Sequence, residues 1–312
     1  MTQTRALPRL SFVMVADSWE TARRVVAHLG SQTVAQAIEV VVVAASASDV
    51  VVPAAIGSEL WGVTVVGHQL VPFAGSRAAG IRVASAEIVV IGETHVFPEA
   101  DWAERLLAAH SDGWTAVTPA IVNANPGSTL GEAALHLDYG RFGPSRPRGR
   151  TNALPRTNAS YARAGLLVLG GGLEASLGPL GRLPLPEGGA FHEPAARIAH
   201  LNVSRPLDWA RERYLAGRLV GGTRFVGFST RKRVAYALAA PFVAAVIFGR
   251  ALRLLGRTAA PRPGLVAALA LAAVLQAAGE TRGYLTGRLD EAEHRMARYE
   301  LFKWRYVDRG RA

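Results

Sequence analysis

The chain has no cysteine among its 312 residues. That excludes a disulfide scaffold, a cysteine zinc site, an iron–sulfur cluster and a cysteine nucleophile. Lysine is almost missing as well. Lys232 and Lys303 are the only two among 35 basic residues, a bias we read as genome composition rather than chemistry. No Gly-rich, Lys-containing phosphate loop lies near the N-terminus, which counts against a nucleotidyltransferase. There is no internal repeat. Half of the residues are hydrophobic and 19% are charged, which excludes disorder and collagen-like structure and leans towards membrane association. The opening Met-Thr-Gln-Thr-Arg precedes no long apolar stretch, so we expect no signal peptide and a cytoplasmic catalytic face.

The net charge of +11 is unevenly placed. Residues 1–230 hold 20 basic and 18 acidic side chains, whereas residues 231–312 hold 15 and 6. The excess therefore lies beside the most apolar stretches of the chain. Basic residues flanking apolar helices suit an anionic membrane surface better than nucleic acid, which calls for a polar basic face with aromatics for stacking. We expect no nucleic-acid partner.

Residues 1–229 alternate β-branched runs with amphipathic segments. The patterns predict strands at Leu10–Ala16, Ile38–Ala44, Gly62–Val66, Glu87–Gly92 and Thr115–Val122. They predict helices at Trp19–Leu29, at Ser76–Ala84, and from Pro98 through His110 with proline in the first turn. Ile38–Ala44 is a continuous apolar run of the kind a parallel strand covered on both faces shows. The order argues for an α/β fold with a mostly parallel sheet flanked by helices. Residues 140–157, rich in Gly, Pro and Arg, read as a loop over a cleft or as a plain surface loop.

Residues 230–312 read as a second, basic and helical region. Val234–Phe248 and Gly264–Ala278 are apolar runs of 15 residues. As helices each is about 22 Å long, short of the roughly 30 Å hydrocarbon core. The arginines between them (Arg250, Arg253, Arg257, Arg262) would lie outside in a spanning hairpin, against the positive-inside tendency. We therefore expect helices lying in or dipping into the cytoplasmic leaflet, with a two-span hairpin as the alternative. The tail from Asp290 reads as a charged amphipathic helix with Tyr299, Phe302, Trp304 and Tyr306 at the interface.

Several segments share an order and spacing. They are the first strand, Leu29-Gly-Ser-Gln32, Glu39-Val-Val-Val-Val, Ser76-Arg-Ala-Ala-Gly80, and Ile88-Val-Val-Ile-Gly-Glu93-Thr94-His95 followed by Pro98, Trp102 and His110. Downstream come Leu154-Pro-Arg-Thr-Asn158-Ala-Ser-Tyr161, Pro194 through His200-Leu-Asn-Val-Ser204, Trp209…Arg213-Tyr214…Arg218, and Gly279-Glu-Thr-Arg-Gly-Tyr284-Leu-Thr-Gly287. This series resembles the inverting GT-A glycosyltransferases of family 2, in a branch whose metal motif is Glu-Asp-His and which carries membrane-proximal C-terminal helices. The resemblance covers almost the whole chain.

It implies a nucleotide-sugar donor bound at the carboxyl ends of the strands, and a lipid-linked or polysaccharide acceptor. It places Asp49, Arg77, Glu93, His200, Arg213 and Arg218 near the donor, and Asn158 and Tyr161 near the acceptor. Glu93 and His95 would hold a divalent cation, Mn²⁺ or Mg²⁺; a nitrogen ligand favours the former. The candidates for the base that takes the proton of the acceptor hydroxyl are Glu187 and Glu193.

Three positions depart from the family pattern. The second strand ends Val43-Ala44-Ala45-Ser46 where the family has acids, the nearest being Asp49. Thr94 stands at the central acid of the metal motif, and the region of the base holds only Glu174 and Glu187. A second reading is therefore a degenerate glycosyltransferase that binds a partner or glycan without turnover. Single residues also have plainer roles open to them. Glu93 could cap a turn, His95 and His200 could be structural histidines, Asn158 could cap a helix near Ala159, and Arg213 and Arg218 could lie on a solvated face.

Overall fold

The computed structural model describes residues 6–187, 189–256 and 262–308. In chain order the elements are β1 (Leu10–Val15), α1 (Trp19–Gly30), β2 (Ile38–Ala44), α2 (Ala54–Glu59), β3 (Gly62–Gly67), α3 (Phe73–Val83), β4 (Ile88–Ile91), β5 (Val96–Pro98), α4 (Trp102–Ser111) and β6 (Ala116–Asn123). There follow α5 (Thr129–Tyr139), β7 (Gly149–Thr151), β8 (Ser160–Ala162), α6 (Arg163–Leu167), α7 (Gly172–Leu177) and β9 (Ala190–His200). The last five are α8 (Pro206–Gly227), α9 (Thr230–Leu238), α10 (Ala240–Leu255), α11 (Pro263–Thr286) and α12 (Leu289–Leu301). The chain divides into two compact units, Met1–Val122 with Phe142–Ala199, and Asn123–Arg141 with His200–Ala312.

The first unit is built on the sheet, whose strand order is β3-β2-β1-β4-β8-β6-β9-β5, with β7 pairing β9. Strands β3, β2, β1 and β4 are parallel, in the registers Val41↔Thr64, Phe12↔Val40 and Phe12↔Val90. Every residue of β2 is buried, as its unbroken Val run requires. Its one charged residue, Glu39, lies below the core and is satisfied by the Ser11 hydroxyl and by the Ser85 N–H at 2.8 Å.

Strand β8 runs against β4 and β6, pairing Val90↔Ser160 and Val117↔Ser160. Helix α3 packs close over the sheet because residue 80 is glycine. A Cβ there would strike the side chains of Val13 and Val43. Val13, Val41, Val89 and Ile91 form one core with Ala78 and Ile81 of α3 and with Leu173 and Leu177 of α7. The expected α/β sheet flanked by helices is thus the architecture observed.

Pro98 does not open a helix. It ends β5, the edge strand, where a missing N–H costs nothing in the ladder. Helix α4 begins four residues later, at Trp102 after Asp101.

The second unit is helical. Its core joins Ala133 and Ala134 of α5, Trp209 and Leu215 of α8, Ala251 and Leu255 of α10, Leu265, Leu269 and Ala272 of α11, and Tyr299 of α12. Helices α8 and α11 touch backbone to backbone through Gly217 and Gly221 on one side and Gly279 and Gly283 on the other. A Cβ at Gly217 would meet the Gln276 carbonyl, one at Gly279 the Tyr214 carbonyl, and one at Gly283 would lie 2.6 Å from the Gly222 nitrogen. Paired glycines four apart are the usual means by which helices approach this closely.

The run Val234–Phe248 forms two helices rather than one. The axis bends by 56° between α9 and α10. Pro241 is the cause, because it cannot donate to the preceding turn and is accommodated in the first turn of α10. Gly264–Ala278 lies within the longer α11, the one helix among the described residues that is long and apolar enough by itself to cross a membrane. About half of that helix is core to its own unit. The tail is helical only over α12: Phe302, Trp304 and Tyr306 lie after its end, the last two in a single 3-10 turn, and Tyr299 is buried in the core of this unit instead of at an interface. Arg257 lies outside the described residues.

Candidate functional site

The site is built at the carboxyl end of β4. The strand's last backbone bond runs from Gly92 N to Val13 O, at 2.7 Å. Residue 92 has room only for glycine, since a Cβ would enter the Phe12 ring. The chain then turns through Glu93, Thr94 and His95 into β5, and all three side chains are buried. Buried polar side chains in a row are costly unless satisfied.

Asn158 locks this turn from the other side. Its backbone lies in the left-handed region (φ 69°), which asparagine tolerates better than most residues. In that conformation its N–H donates to the Ile91 carbonyl at 2.6 Å and its Nδ2 donates to Glu93 Oε2 at 2.7 Å. Asn158 therefore does not cap a helix; β8 follows it. Glu93 Oε2 also lies 3.9 Å from His95 Nε2. Three residues singled out from the sequence, Glu93, His95 and Asn158, are thus brought together.

Glu93 and His95 offer a hard carboxylate oxygen and an imidazole nitrogen within 4 Å of each other, in a buried setting. This donor set fits a divalent cation, and the nitrogen suits Mn²⁺ better than Mg²⁺.

Other residues expected at the site are placed as follows. Arg77 is half-buried on α3, its guanidinium 5.5 Å from the centre of the Phe73 ring. Asp49 is exposed, and its Oδ2 accepts the Ser46 N–H at 2.9 Å, closing the turn after β2. Tyr161 points into the sheet core among Val89, Ala116 and Leu166, and burial raises its hydroxyl pKa. Glu193 is buried on β9, accepting from Arg148 Nε at 2.7 Å and from the Ala195 N–H at 3.2 Å. Glu187 is exposed on the loop before β9.

Within the second unit, His200 is buried against Tyr139, with ring centres 4.7 Å apart. Its Nδ1 lies 2.9 Å from Asn202 Oδ1, while Asn202 Nδ2 donates to Asn123 Oδ1 and to the His200 carbonyl. Asn202 Oδ1 can only accept, so this network assigns a proton to His200 Nδ1.

Arg213 is buried and makes two 2.9 Å hydrogen bonds to Asp138 and one of 3.1 Å to Glu212. Arg218, also buried, approaches Glu291 of α12 at 3.7 Å. Neither arginine lies on a solvated face. Desolvation opposes ionisation of Asp138, but the charge and hydrogen bonds of Arg213 outweigh it and hold the carboxyl below the usual range.

The partners Asp138 and Glu212 escaped the sequence reading. Asp138 lies 75 residues from Arg213, on a helix the periodicity did not reveal. His110 shows a second missed contact. Its Nδ1 donates to the Trp114 carbonyl at 2.6 Å and its Nε2 accepts from Ser160 Oγ at 2.8 Å. Burial pulls its pKa down to about 4.

No family model and no curated sequence matches the chain. Among solved structures it is similar to the mannosyltransferase PcManGT from Pyrobaculum calidifontis, solved in complex with GDP-Man and Mn²⁺. That match has 15% identity over 96% of this chain and 88% of that one, with a TM-score of 0.46. It is also similar to S. aureus TarS 1–349, at 12% identity and a TM-score of 0.45 over 67% of this chain. The match spans 64% of the length of that structure. GalNAc-T7 with UDP, GalNAc and Mn²⁺ matches at 15% identity over 62% of this chain and 44% of that one, with a TM-score of 0.41.

Proposed function

We propose that this chain is a GT-A-type, family 2-like glycosyltransferase. It moves a sugar from a nucleotide-sugar to a hydroxyl of a lipid-linked or polysaccharide acceptor, with inversion. The observation that carries this reading is the buried Glu93–His95 pair held by Asn158 at the carboxyl end of β4. Open α/β sheets bind their ligands outside such strand ends, and the motif order of the chain resembles that family's.

Glu93 and His95 would hold the divalent cation, which would supply positive charge to offset that of the departing diphosphate. Asn158 fixes the Glu93 carboxylate, and Arg77 on α3 supplies positive charge for the nucleotide. Glu193, which accepts a hydrogen bond from Arg148, or the exposed Glu187 takes the proton of the acceptor hydroxyl as that oxygen bonds to the anomeric carbon and the bond to the diphosphate breaks. Work at the cytoplasmic face of an anionic membrane accords with the basic C-terminal region and with a lipid-linked acceptor.

A second reading rests on a specific observation: Ala44, Ala45 and Thr94 stand where the family has acids. It makes the chain a degenerate relative that binds without turnover. Incubating the full chain with a panel of nucleotide-sugars, Mn²⁺ and membranes as acceptor source separates the two. Release of nucleoside diphosphate that requires acceptor and is lost in Glu93→Ala supports the transferase. Nucleotide binding with no release favours the degenerate relative.

A further inference from the structure

We propose that the elbow formed by α9 and α10, rather than the longer and more apolar α11, is the surface that docks on an anionic lipid bilayer. This deepens the membrane association proposed above and rests on it.

Length and composition favour α11 as the membrane element. Its inner stripe, however, is committed to its own unit. Leu265, Leu269, Ala272 and Ala273 are in the core, and Gly279 and Gly283 are locked against α8. Its outer stripe holds Leu271 and Val274 and is interrupted by the exposed Arg282.

The elbow is different. Leu238 is 74% exposed and Phe242 is 75% exposed on either side of the bend, with Val234 and Val246 also exposed further along each helix. Isolated exposed apolar residues need no explanation, but four large ones at the tip and flanks of a single bend do. Charge identifies the occupant. Arg231 and Lys232 precede the apolar stretch and Arg250 and Arg253 follow it, all four exposed. No acidic residue lies between Arg231 and Arg253.

A basic–apolar–basic series matches the layering of an anionic membrane surface, with phosphates outside and acyl chains beneath. Lys232 already lies over the Phe228 ring at 3.9 Å, as a cation at the edge of an apolar surface does. A protein partner would call for acidic residues facing the arginines with no preference for lipid, so the test uses vesicles alone.

The full chain is tested for co-sedimentation with phosphatidylcholine vesicles with and without phosphatidylglycerol. Binding is expected only to the anionic vesicles. It should fall roughly tenfold or more in Leu238→Asp/Phe242→Asp and several-fold in Arg250→Ala/Arg253→Ala. Leu271→Asp/Val274→Asp should bind as the parent does. The opposite ranking of the two apolar pairs, or equal binding to neutral vesicles, overturns the proposal.

Because the chain lacks cysteine, Phe242→Cys can carry a single environment-sensitive fluorophore. A blue shift on adding anionic vesicles supports insertion at the elbow, and no shift contradicts it, whatever the stability of the aspartate variants. UDP and GDP binding measured on the same samples keeps the two readings apart. Nucleotide binding without vesicle binding overturns the docking surface alone, and vesicle binding without nucleotide binding overturns the transferase alone.

Discussion

Asn158 donates from Nδ2 to Glu93 Oε2 at 2.7 Å while its own N–H is bonded to Ile91, so one residue holds both the backbone and the carboxylate of the strand end. Replacing it with alanine leaves a buried carboxylate short of a donor and places a residue without a polar side chain at positive φ. We expect Asn158→Ala to cost about 2 kcal/mol of stability in a urea melt. Asn158→Asp sets two carboxylates face to face and should cost more at pH 7 than at pH 4, where protonation restores a donor. A larger cost for Asn158→Asp at the lower pH would count against the contact.

The glycine contacts of α8 and α11 give a contrast between two substitutions of the same kind. Gly217→Ala forces a methyl into the Gln276 carbonyl and should destabilise by about 3 kcal/mol or more. Gly249→Ala lies on α10 with no atom within 4 Å of the new Cβ, and should stabilise by about 1 kcal/mol through helix propensity. Thermal unfolding monitored by circular dichroism decides; equal effects would mean that α8 and α11 are not in backbone contact.

His110 makes stability depend on pH in a defined window. Its folded pKa is pulled to about 4 from an unfolded value near 6.5, so the unfolded chain binds the proton first as pH falls. The stabilisation present above pH 6.5 is therefore lost progressively between about 6.5 and 4, on the order of 3 kcal/mol in all. His110→Gln should flatten that part of the profile. An unchanged slope from pH 7 to 4 would show that Nε2 accepts a proton without cost.

The Asp138–Arg213 pair titrates lower. Because the Asp138 carboxyl is depressed in the folded state, its contribution is present above the unfolded carboxylate pKa, near 4, and is lost as pH falls through the folded value. Asp138 keeps 44% of its side chain exposed, so solvent screens part of the effect. Arg213→Met removes the buried cation between Asp138 and Glu212, and we expect a loss of about 3 kcal/mol at pH 7 that shrinks towards pH 3.

The parallel core was legible because its central strands, β1 and β2, are buried on both faces. Ile38–Ala44 coincides with β2 to the residue, and β1 and β3 match within one. Three-residue strands such as β7 and β8 left no period to read, and Pro98 resembled a helix start because an edge strand tolerates it equally well. Glu93, His95 and Asn158 could be picked out as motif residues. That Asn158 reaches back across 65 positions to Glu93 depends on β8 running against β4, a pairing no local pattern encodes. The elbow was hidden in plain view, since Pro241 sits inside a run read for its apolarity alone.

The most direct test of the proposed function is calorimetric binding of UDP and GDP to the purified chain, with and without Mn²⁺, with Glu93→Ala as control. Mn²⁺-dependent binding of one nucleotide that is lost in Glu93→Ala and weakened in Asn158→Ala is the predicted result. Absence of nucleotide binding in the parent chain, or binding that Glu93→Ala leaves intact, contradicts the assignment of the β4 end as the donor site.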